Sequence, residues 1–250
     1  MADDIFGILS GFPSLVLLFE YVDPIVAREE PNLAAGAMVL VTTVMLVKSD
    51  LGLGDSQVAM ALGTFGCGSM LAALALPRLL DTRPDRPVMI TGASILVAVL
   101  LSFGLWATVY GPVWIILLIG WFAIDIGYSV VLTPSGRLLK RSAHPEDRPA
   151  VYAAQFALSH ACWLLTYPLS GWLITAFGPV VAFIVLALVA GTGLLGGILL
   201  WSNEQDTSVV HSYDDLPQDH PHLRGAAMHS HPIVIDDYHS HWPRAGGAHS

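Results

Sequence analysis

Long apolar runs, all but the short first one about the length needed to cross a bilayer, constrain this chain more than any other feature. A hydrocarbon core requires about 20 mostly apolar residues per helix. In this chain 54% of the residues are hydrophobic and 12% are charged, whereas soluble domains carry about 25% charged residues. The pattern therefore predicts an all-α membrane protein, a six-helix transmembrane bundle whose helices cover residues 33–47, 58–76, 88–108, 113–132, 150–176 and 180–201.

The composition divides the chain into three parts. Residues 1–32 form a divergent N-terminal segment, in which Glu20 and Asp23 interrupt an apolar stretch. That interruption favours an interfacial or re-entrant segment over a seventh span. Residues 33–201 hold the six predicted transmembrane helices. Residues 202–250 are polar and poor in aromatic residues, which predicts a disordered tail.

Basic residues between the apolar runs indicate which side faces the cytoplasm. The loops after the second and the fourth run share seven Lys and Arg residues, whereas the opposite loops hold only Lys48. Cytoplasmic loops carry an excess of Lys and Arg. We therefore expect a multi-pass protein of the inner (plasma) membrane with both termini in the cytoplasm. The seven residues are Arg78, Arg83, Arg86, Arg137, Lys140, Arg141 and Arg148.

Two ionisable residues lie inside the predicted spans. Asp125 is seven residues from the inner end of the fourth run, and His160 is ten from the inner end of the fifth. At about 1.5 Å per residue, their depths differ by about 5 Å. Ionisable groups within a membrane are costly and usually mark ion pathways or proton relays. Asp125 and His160, together with Gln155, are therefore candidates for a proton relay or a cation site. The alternative is hydrogen bonding between packed helices.

The basic segment after the second run carries a family resemblance. Its sequence LLDTRPDR, at residues 79–86, resembles the D-R-x-G-R-R motif between the second and third helices of each half of major facilitator superfamily transporters. Asp81 and Arg86 match the acid and the last basic position, whereas Pro84 replaces the usual glycine. Because this loop is linked to the conformational switch in that family, the resemblance implies a cytoplasmic gate motif formed by Asp81, Arg83 and Arg86.

The resemblance extends over residues 33–201 and the tail. The stretch from Thr133 to Trp163 is similar to the carboxyl half of such transporters, and most similar to a branch linked to resistance to nickel and other metals. Transporters of the superfamily consist of two six-helix halves. The chain has room for one half, so the resemblance implies a carboxyl half that pairs with a second six-helix half or forms a homodimer. A truncated gene product is the other interpretation.

The tail holds eight of the ten histidines, interspersed with aspartates. In an extended chain, residues two apart point to the same side, so each H-x-H pair offers two imidazoles to one ion. Imidazole suits nickel, zinc and cobalt, and His-rich tracts are typical of metal binding. No cofactor is required, but the tail is a candidate metal site formed by His220, His222, His229, His231, His239 and His241.

These features together predict a secondary transporter, with proton-coupled efflux of a divalent metal such as nickel as its function. Its expected partners are the lipid bilayer and a small ion or small-molecule substrate. A general efflux carrier for small molecules and a truncated, non-transporting fragment that binds metal through its tail are the alternatives. The sequence contains no P-loop motif and no hydrolytic constellation, so we expect no enzyme activity. The acidic net charge of -9 argues against a nucleic-acid partner.

Overall fold

A computed structural model describes residues 35–36, 39–141, 143–200, 209–212 and 228–231. Helices occupy nearly all of the first three ranges, which confirms the predicted all-α fold. The predicted N-terminal segment, residues 1–32, lies outside the described residues. The helices are α1 (39–45, continuing as a π-helical turn, Leu46–Asp50), α2 (Asp55–Thr82), α3 (Asp85–Tyr110), α4 (Trp114–Arg141), α5 (Arg148–Phe177) and α6 (Pro179–Leu200).

Four of these helices, α2, α3, α4 and α6, are long and apolar enough to cross a membrane, judged by length and composition. They correspond to the second, third, fourth and sixth predicted spans. Whether α1 and α5 also cross the membrane stays a prediction, although both are helical where spans are expected. The chain therefore has at least four helices with the length and composition expected of a multi-pass membrane protein.

Glycines with positive φ end the turns on the side opposite the basic loops. Gly52 lies between α1 and α2, Gly111 between α3 and α4, and Gly178 between α5 and α6, with φ values of 66°, 72° and 83°. Glycine adopts this left-handed conformation without the steric penalty of a side chain. The backbone N–H groups of Gly111 and Gly178 bond to the carbonyls of Ala107 and Ile174, which closes the last turn of α3 and of α5.

The centre of the bundle is aromatic. Phe103 of α3, Trp121 of α4 and Phe183 of α6 are buried, and their ring centroids lie 4.6–6.1 Å apart in tilted arrangements. The indole N–H of Trp121 also donates a hydrogen bond to the Thr43 hydroxyl at 2.7 Å. This buried bond attaches α1 to α4, because burying a polar group is costly unless it is hydrogen-bonded.

Small residues let α4 approach two neighbouring helices closely. Where α3 and α4 cross, Gly92 faces the carbonyl oxygen of Gly127, and Gly127 faces that of Gly92. Where α2 and α4 cross, a Cβ at Gly68 would lie 2.6 Å from the carbonyl oxygen of Phe122 and 2.8 Å from the Asp125 Cβ. Helices pack this closely in membranes only through residues without bulky side chains. α4 is therefore the central helix of the bundle.

The tail departs from the predicted disorder at two short segments. Strands β1 (Val209–Ser212) and β2 (Met228–His231) pair as an antiparallel two-stranded sheet. Its register places His211 opposite His229 and Val209 opposite His231. The expectation of a wholly disordered tail was wrong for these residues, because β-branched residues such as Val209 and Val210 favour extended backbone and pairing satisfies backbone polar groups.

We expect Gly68→Ala to destabilise the protein by about 1–3 kcal/mol, because overpacking a tight contact forces the helices apart. Gly66→Ala is the matched control on the same helix, since nothing lies within 4 Å of a Cβ at Gly66. Thermal unfolding of both purified variants in detergent measures the difference. Equal melting temperatures would contradict the close α2–α4 crossing.

Candidate functional site

Asp125 lies at the crossing of α2 and α4, where Gly68 permits close approach. The residue is 4% exposed, and its Oδ2 accepts a hydrogen bond from the backbone N–H of Ser69 on α2. The Ser69 hydroxyl donates to the Gly66 carbonyl at 2.8 Å. The carboxylate is thus held against the backbone of a neighbouring helix rather than directed toward lipid.

His160 lies on the exposed side of α5. Its Nδ1 is 2.8 Å from the carbonyl oxygen of Phe156, and the two aromatic rings stack with centroids 3.9 Å apart. A carbonyl oxygen only accepts, so this contact assigns the proton of a neutral imidazole to Nδ1. The lone pair then lies on Nε2, which is the nitrogen available to a proton or a metal ion.

Asp125 and His160, the two ionisable residues of the predicted spans, do not bond to each other in the structure. Asp125 contacts α2, whereas His160 bonds within α5, and in the described ranges no hydrogen bond or ion pair links them. Gln155 is partly exposed on α5. Nor does any group of three or more His, Cys, Asp and Glu side chains in the described part of the chain lie close enough to hold a metal ion. Any shared function of Asp125 and His160 thus needs groups or movements beyond this arrangement.

A buried acid on the side of the basic loops holds two arginines. Asp85, in the first turn of α3, has a side chain with 0% exposure. Its Oδ1 is 2.6 Å from Arg137 Nη2, and its Oδ2 is 3.4 Å from Arg141 Nη1, both on α4. Arg137 also donates to the Leu80 carbonyl at the end of α2, at 3.3 Å. This cluster therefore links three helices at one end of the bundle.

The residues of the predicted gate motif lie at the same end of the bundle as this cluster, whose central acid is Asp85. Asp81 and Arg83 are exposed at the end of α2, whereas Arg86 donates to the carbonyl of Ile198 near the end of α6 at 3.2 Å. Asp85 is the acid that the sequence reasoning missed. One signal was available, since Arg137 and Arg141 are four apart on a helix and so share one face.

An apolar cleft of about 290 Å³ lies between α3 and α4. Ser102, Phe103, Trp106 and Ala123 are among the residues that line it, and none of the lining residues is ionisable. A cation would have no charged ligand there. The cleft suits an apolar group or a lipid chain better than an ion.

A family comparison decides what kind of protein carries these features. The family model of the Major Facilitator Superfamily matches residues 32–234. The chain belongs to the major facilitator superfamily. It is therefore a multi-pass membrane transporter that acts on a small substrate in a lipid bilayer, and it is not an enzyme. No curated protein and no solved structure matches the chain.

Membership in the superfamily confirms the resemblance inferred from the LLDTRPDR segment. In a superfamily transporter the two halves move relative to each other as largely rigid bodies. The Asp85 cluster joins α2, α3 and α4 at one end and so holds the ends of these three helices together. The match is to the superfamily as a whole and so leaves the substrate open.

Removing the buried acid tests this cluster. We expect Asp85→Ala to destabilise the protein by about 2 kcal/mol or more, because two arginines lose a buried charged partner. Asp81→Ala is the control, since its side chain is exposed and surface changes cost less than about 0.5 kcal/mol. Thermal unfolding in detergent measures both. A larger loss for Asp81→Ala would show that the acid of the gate motif is the structural anchor instead.

Proposed function

We propose that this superfamily transporter exports a divalent metal ion, with nickel as the first candidate, in exchange for protons. Asp125 is the observation that carries the proposal. It is a buried acid in the middle of a helix apolar enough to span the membrane, and such residues are costly enough that they usually serve transport. The exchange of a proton at its carboxylate is the proposed coupling step.

The Ser69 contact gives that step a structural consequence. As a carboxylate, Asp125 accepts the backbone N–H of Ser69 through a charge-assisted hydrogen bond. Protonation removes the charge and weakens this bond, which loosens the crossing of α2 and α4. Protonation and the packing of these two helices are therefore coupled. A carrier needs such a link between a bound proton and a helix position.

His160 and Gln155 are the proposed polar lining of the path on the open side of α5. The orientation of His160 leaves its Nε2 lone pair available, and neutral imidazole binds borderline divalent metals such as nickel, zinc and cobalt. Gln155 is partly exposed on the same helix. In this proposal His160 contacts the substrate ion during transport, while Asp125 carries the proton.

The tail is the proposed collector of metal on the cytoplasmic side, where the basic loops favour placing both termini. His220, His222, His239 and His241 lie outside the described residues, whereas His229 and His231 belong to β2. The register of the two strands places His211 opposite His229, which adds His211 to the proposed ligands. A collector in the cytoplasm suits export, since it raises the metal concentration where loading occurs.

A second candidate is a carrier for small organic molecules. The apolar cleft between α3 and α4 favours it, as does the lack of a preformed metal-ligand group among the described side chains. In that case the tail would buffer metal independently of transport. A third candidate, a fragment that binds metal without transporting it, predicts no substrate movement at all.

Asp125→Asn is the decisive substitution for proton coupling. Asparagine keeps an oxygen for the Ser69 N–H but does not titrate, so folding is retained while proton-driven transport falls by at least about 100-fold. The measurement is nickel movement into proteoliposomes that hold a metal-sensitive dye, under an imposed pH gradient.

Asp55→Asn is the matched control for that experiment. Asp55 is an acid at the start of α2 whose side chain is 88% exposed and pairs with Lys48 at 2.5 Å. Its loss should leave transport near the wild-type rate. Proton-driven nickel transport that persists in Asp125→Asn would refute the role of Asp125, and a wild-type protein that moves organic cations but no metal would favour the second candidate.

Metal binding by the tail is tested on the full chain. We expect calorimetry to detect binding of nickel, zinc or cobalt with a Kd below about 1 mM. This Kd corresponds to a binding free energy of about -4 kcal/mol. Replacing the six predicted tail histidines by alanine should weaken the binding strongly, and adding His211→Ala should abolish what remains. Unchanged affinity after all seven substitutions would place the metal elsewhere.

A further inference from the structure

The cleft between α3 and α4 opens on the outside of the bundle. On α3, the lining residues Ala98, Ser102 and Trp106 are four apart and exposed, and residues four apart share one helix face. On α4, the lining residue Ile119 is 61% exposed. The cleft, with a volume of about 290 Å³, is therefore a furrow in the lateral surface of the protein rather than an enclosed cavity.

This furrow forms because α3 and α4 separate on one side of their crossing. At the crossing, a Cβ added to Gly92 would lie 2.9 Å from the carbonyl oxygen of Gly127, and a Cβ added to Gly127 would lie 3.0 Å from that of Gly92. Closer to the start of α4, a Cβ at Gly120 would lie 3.6 Å from the Phe103 ring, which is an ordinary van der Waals distance. Gly120 adds no side chain to the widening gap, so the surface has room for an external group.

The cleft lies on the far side of α4 from Asp125. Its lining residues Ile116 and Ala123 are nine residues and two residues before Asp125. These separations are about 2.5 turns and about 0.6 turn of helix, so both residues face away from Asp125. α2, which contacts Asp125 through the backbone of Ser69, is thus on the opposite side of α4. The body of α4 separates any group in the cleft from the proposed proton site.

α6 lies on the far side of α3 from the cleft. Gly104 of α3 faces α6, since a Cβ there would lie 3.2 Å from the Phe183 side chain and 3.1 Å from that of Ile184. Ser102 and Trp106 are each two residues from Gly104, which is about 0.6 turn of helix. Their face of α3 therefore points away from α6. Among the described helices, α2 and α6 both pack behind the furrow, so its open side faces the bilayer.

The cleft extends along the depth of one membrane leaflet. On α3, Trp106 and Ala98 lie four and twelve residues before the helix ends, at depths of about 6 Å and about 18 Å. On α4, the lining residues lie two to nine residues after the helix begins, at depths of about 3–14 Å. Half of a hydrocarbon core is about 15 Å thick. The cleft thus runs from near the bilayer surface to mid-membrane, on the side opposite the basic loops.

The chemistry along the cleft suits a long apolar group that is polar at one end. None of the lining residues is ionisable, and Ser102 alone among them has a hydroxyl. Apolar cavities exclude water and bind apolar ligands. At the end near the bilayer surface, the Trp106 ring lies against the exposed Tyr110 ring with centroids 4.4 Å apart. Trp and Tyr favour the level of the lipid head groups, where the indole N–H and the phenol O–H meet polar atoms.

We propose that the cleft binds one acyl chain of a phospholipid from the leaflet on the side opposite the basic loops. The chain runs from Trp106 and Tyr110, which lie beside its head group, toward mid-membrane. It packs on Phe103, which lines the cleft and also forms the aromatic centre with Trp121 and Phe183. The bound chain supplies van der Waals contacts to the outer side of this centre and so stabilises the fold. The site does not depend on the proposed transport function.

Photo-cross-linking of the full chain in liposomes locates the lipid. The probe is a phosphatidylcholine with a diazirine in the middle of one long acyl chain. After proteolysis, we expect mass spectrometry to find label on the cleft residues of α3 and α4 at about ten times the level on Leu188. Leu188 is the reference because it is 60% exposed and lies nine residues after the start of α6, at a similar depth. Label spread evenly over the exposed residues would overturn the proposal.

A bulky side chain in the cleft tests the assignment. Ala98→Phe adds a ring at an exposed lining position, where it occupies the space proposed for the acyl chain. We expect labelling of the other cleft residues to fall about tenfold. Ala73→Phe is the matched control, since it adds the same ring at an exposed position of α2 and should leave the labelling unchanged. An equal loss in both variants, or no loss in Ala98→Phe, would contradict the site.

Thermal unfolding of the delipidated protein in detergent tests the stabilising role. Added phosphatidylcholine with long chains should raise the Tm of the wild type by about 3 °C or more, because it binds the folded state. Without lipid, Ala98→Phe should melt no lower than the wild type, which shows that it folds, and it should not gain from the lipid. A wild type that gains nothing from long-chain lipid, or a gain that Ala98→Phe retains, would overturn the proposal.

Other occupants of the cleft give different results in the same assays. Phosphatidylglycerol with the same chains should stabilise the protein equally, whereas a rise in Tm with one head group alone would indicate a head-group site and overturn the proposal. Equal protection from labelling by a free fatty acid would show that the chain does not come from a phospholipid. An organic cation that displaces the probe and is itself transported would assign the cleft to substrate. Failure of metal transport by the wild type, by contrast, would overturn the proposed function and leave the lipid site intact.

Discussion

Hydrocarbon cannot hydrogen-bond a polar group, and the packing of this protein depends on that constraint. Two buried polar side chains in the described part of the chain bridge helices through specific partners. Trp121 reaches Thr43 on α1, and Asp125 reaches the backbone of α2. Both lie on α4, the helix that Gly68 of α2 and Gly92 of α3 approach closely. The directional bonds set which helix meets which, because apolar contacts alone would tolerate many rotations about each helix axis.

Polar contacts and glycine crossings divide the bundle into a tight and an open part. α2 and α3 pack against α4, and α6 lies next to them. Phe103, Trp121 and Phe183 form an aromatic centre among α3, α4 and α6. Most of α5 lacks buried residues, by contrast. Within a transporter superfamily whose members have two halves, an open helix that carries a histidine is more consistent with a protein interface or a substrate path than with a lipid boundary.

The Asp85 cluster and the Asp125 contact act at different depths and on different groups. Asp85 holds two permanently charged arginines, and an ion pair of this kind stabilises one arrangement of helix ends. Asp125 accepts a backbone N–H and has no basic partner among its described contacts, so its proton can be exchanged without separating two charges. The first suits a structural anchor, and the second suits the proposed coupling step.

The sequence by itself determined the helices, the basic side of the membrane protein and the superfamily, because apolar runs, loop charges and a loop motif are local properties. It also predicted similar depths for Asp125 and His160, since depth along a spanning helix follows from the rise per residue. Only the tertiary structure decided that Asp125 faces α2, that His160 faces outward, and that Asp85 rather than Asp81 holds the arginines. Helices that are apolar on every side carry little periodic signal, so their rotation is set by packing against neighbours that the sequence does not identify.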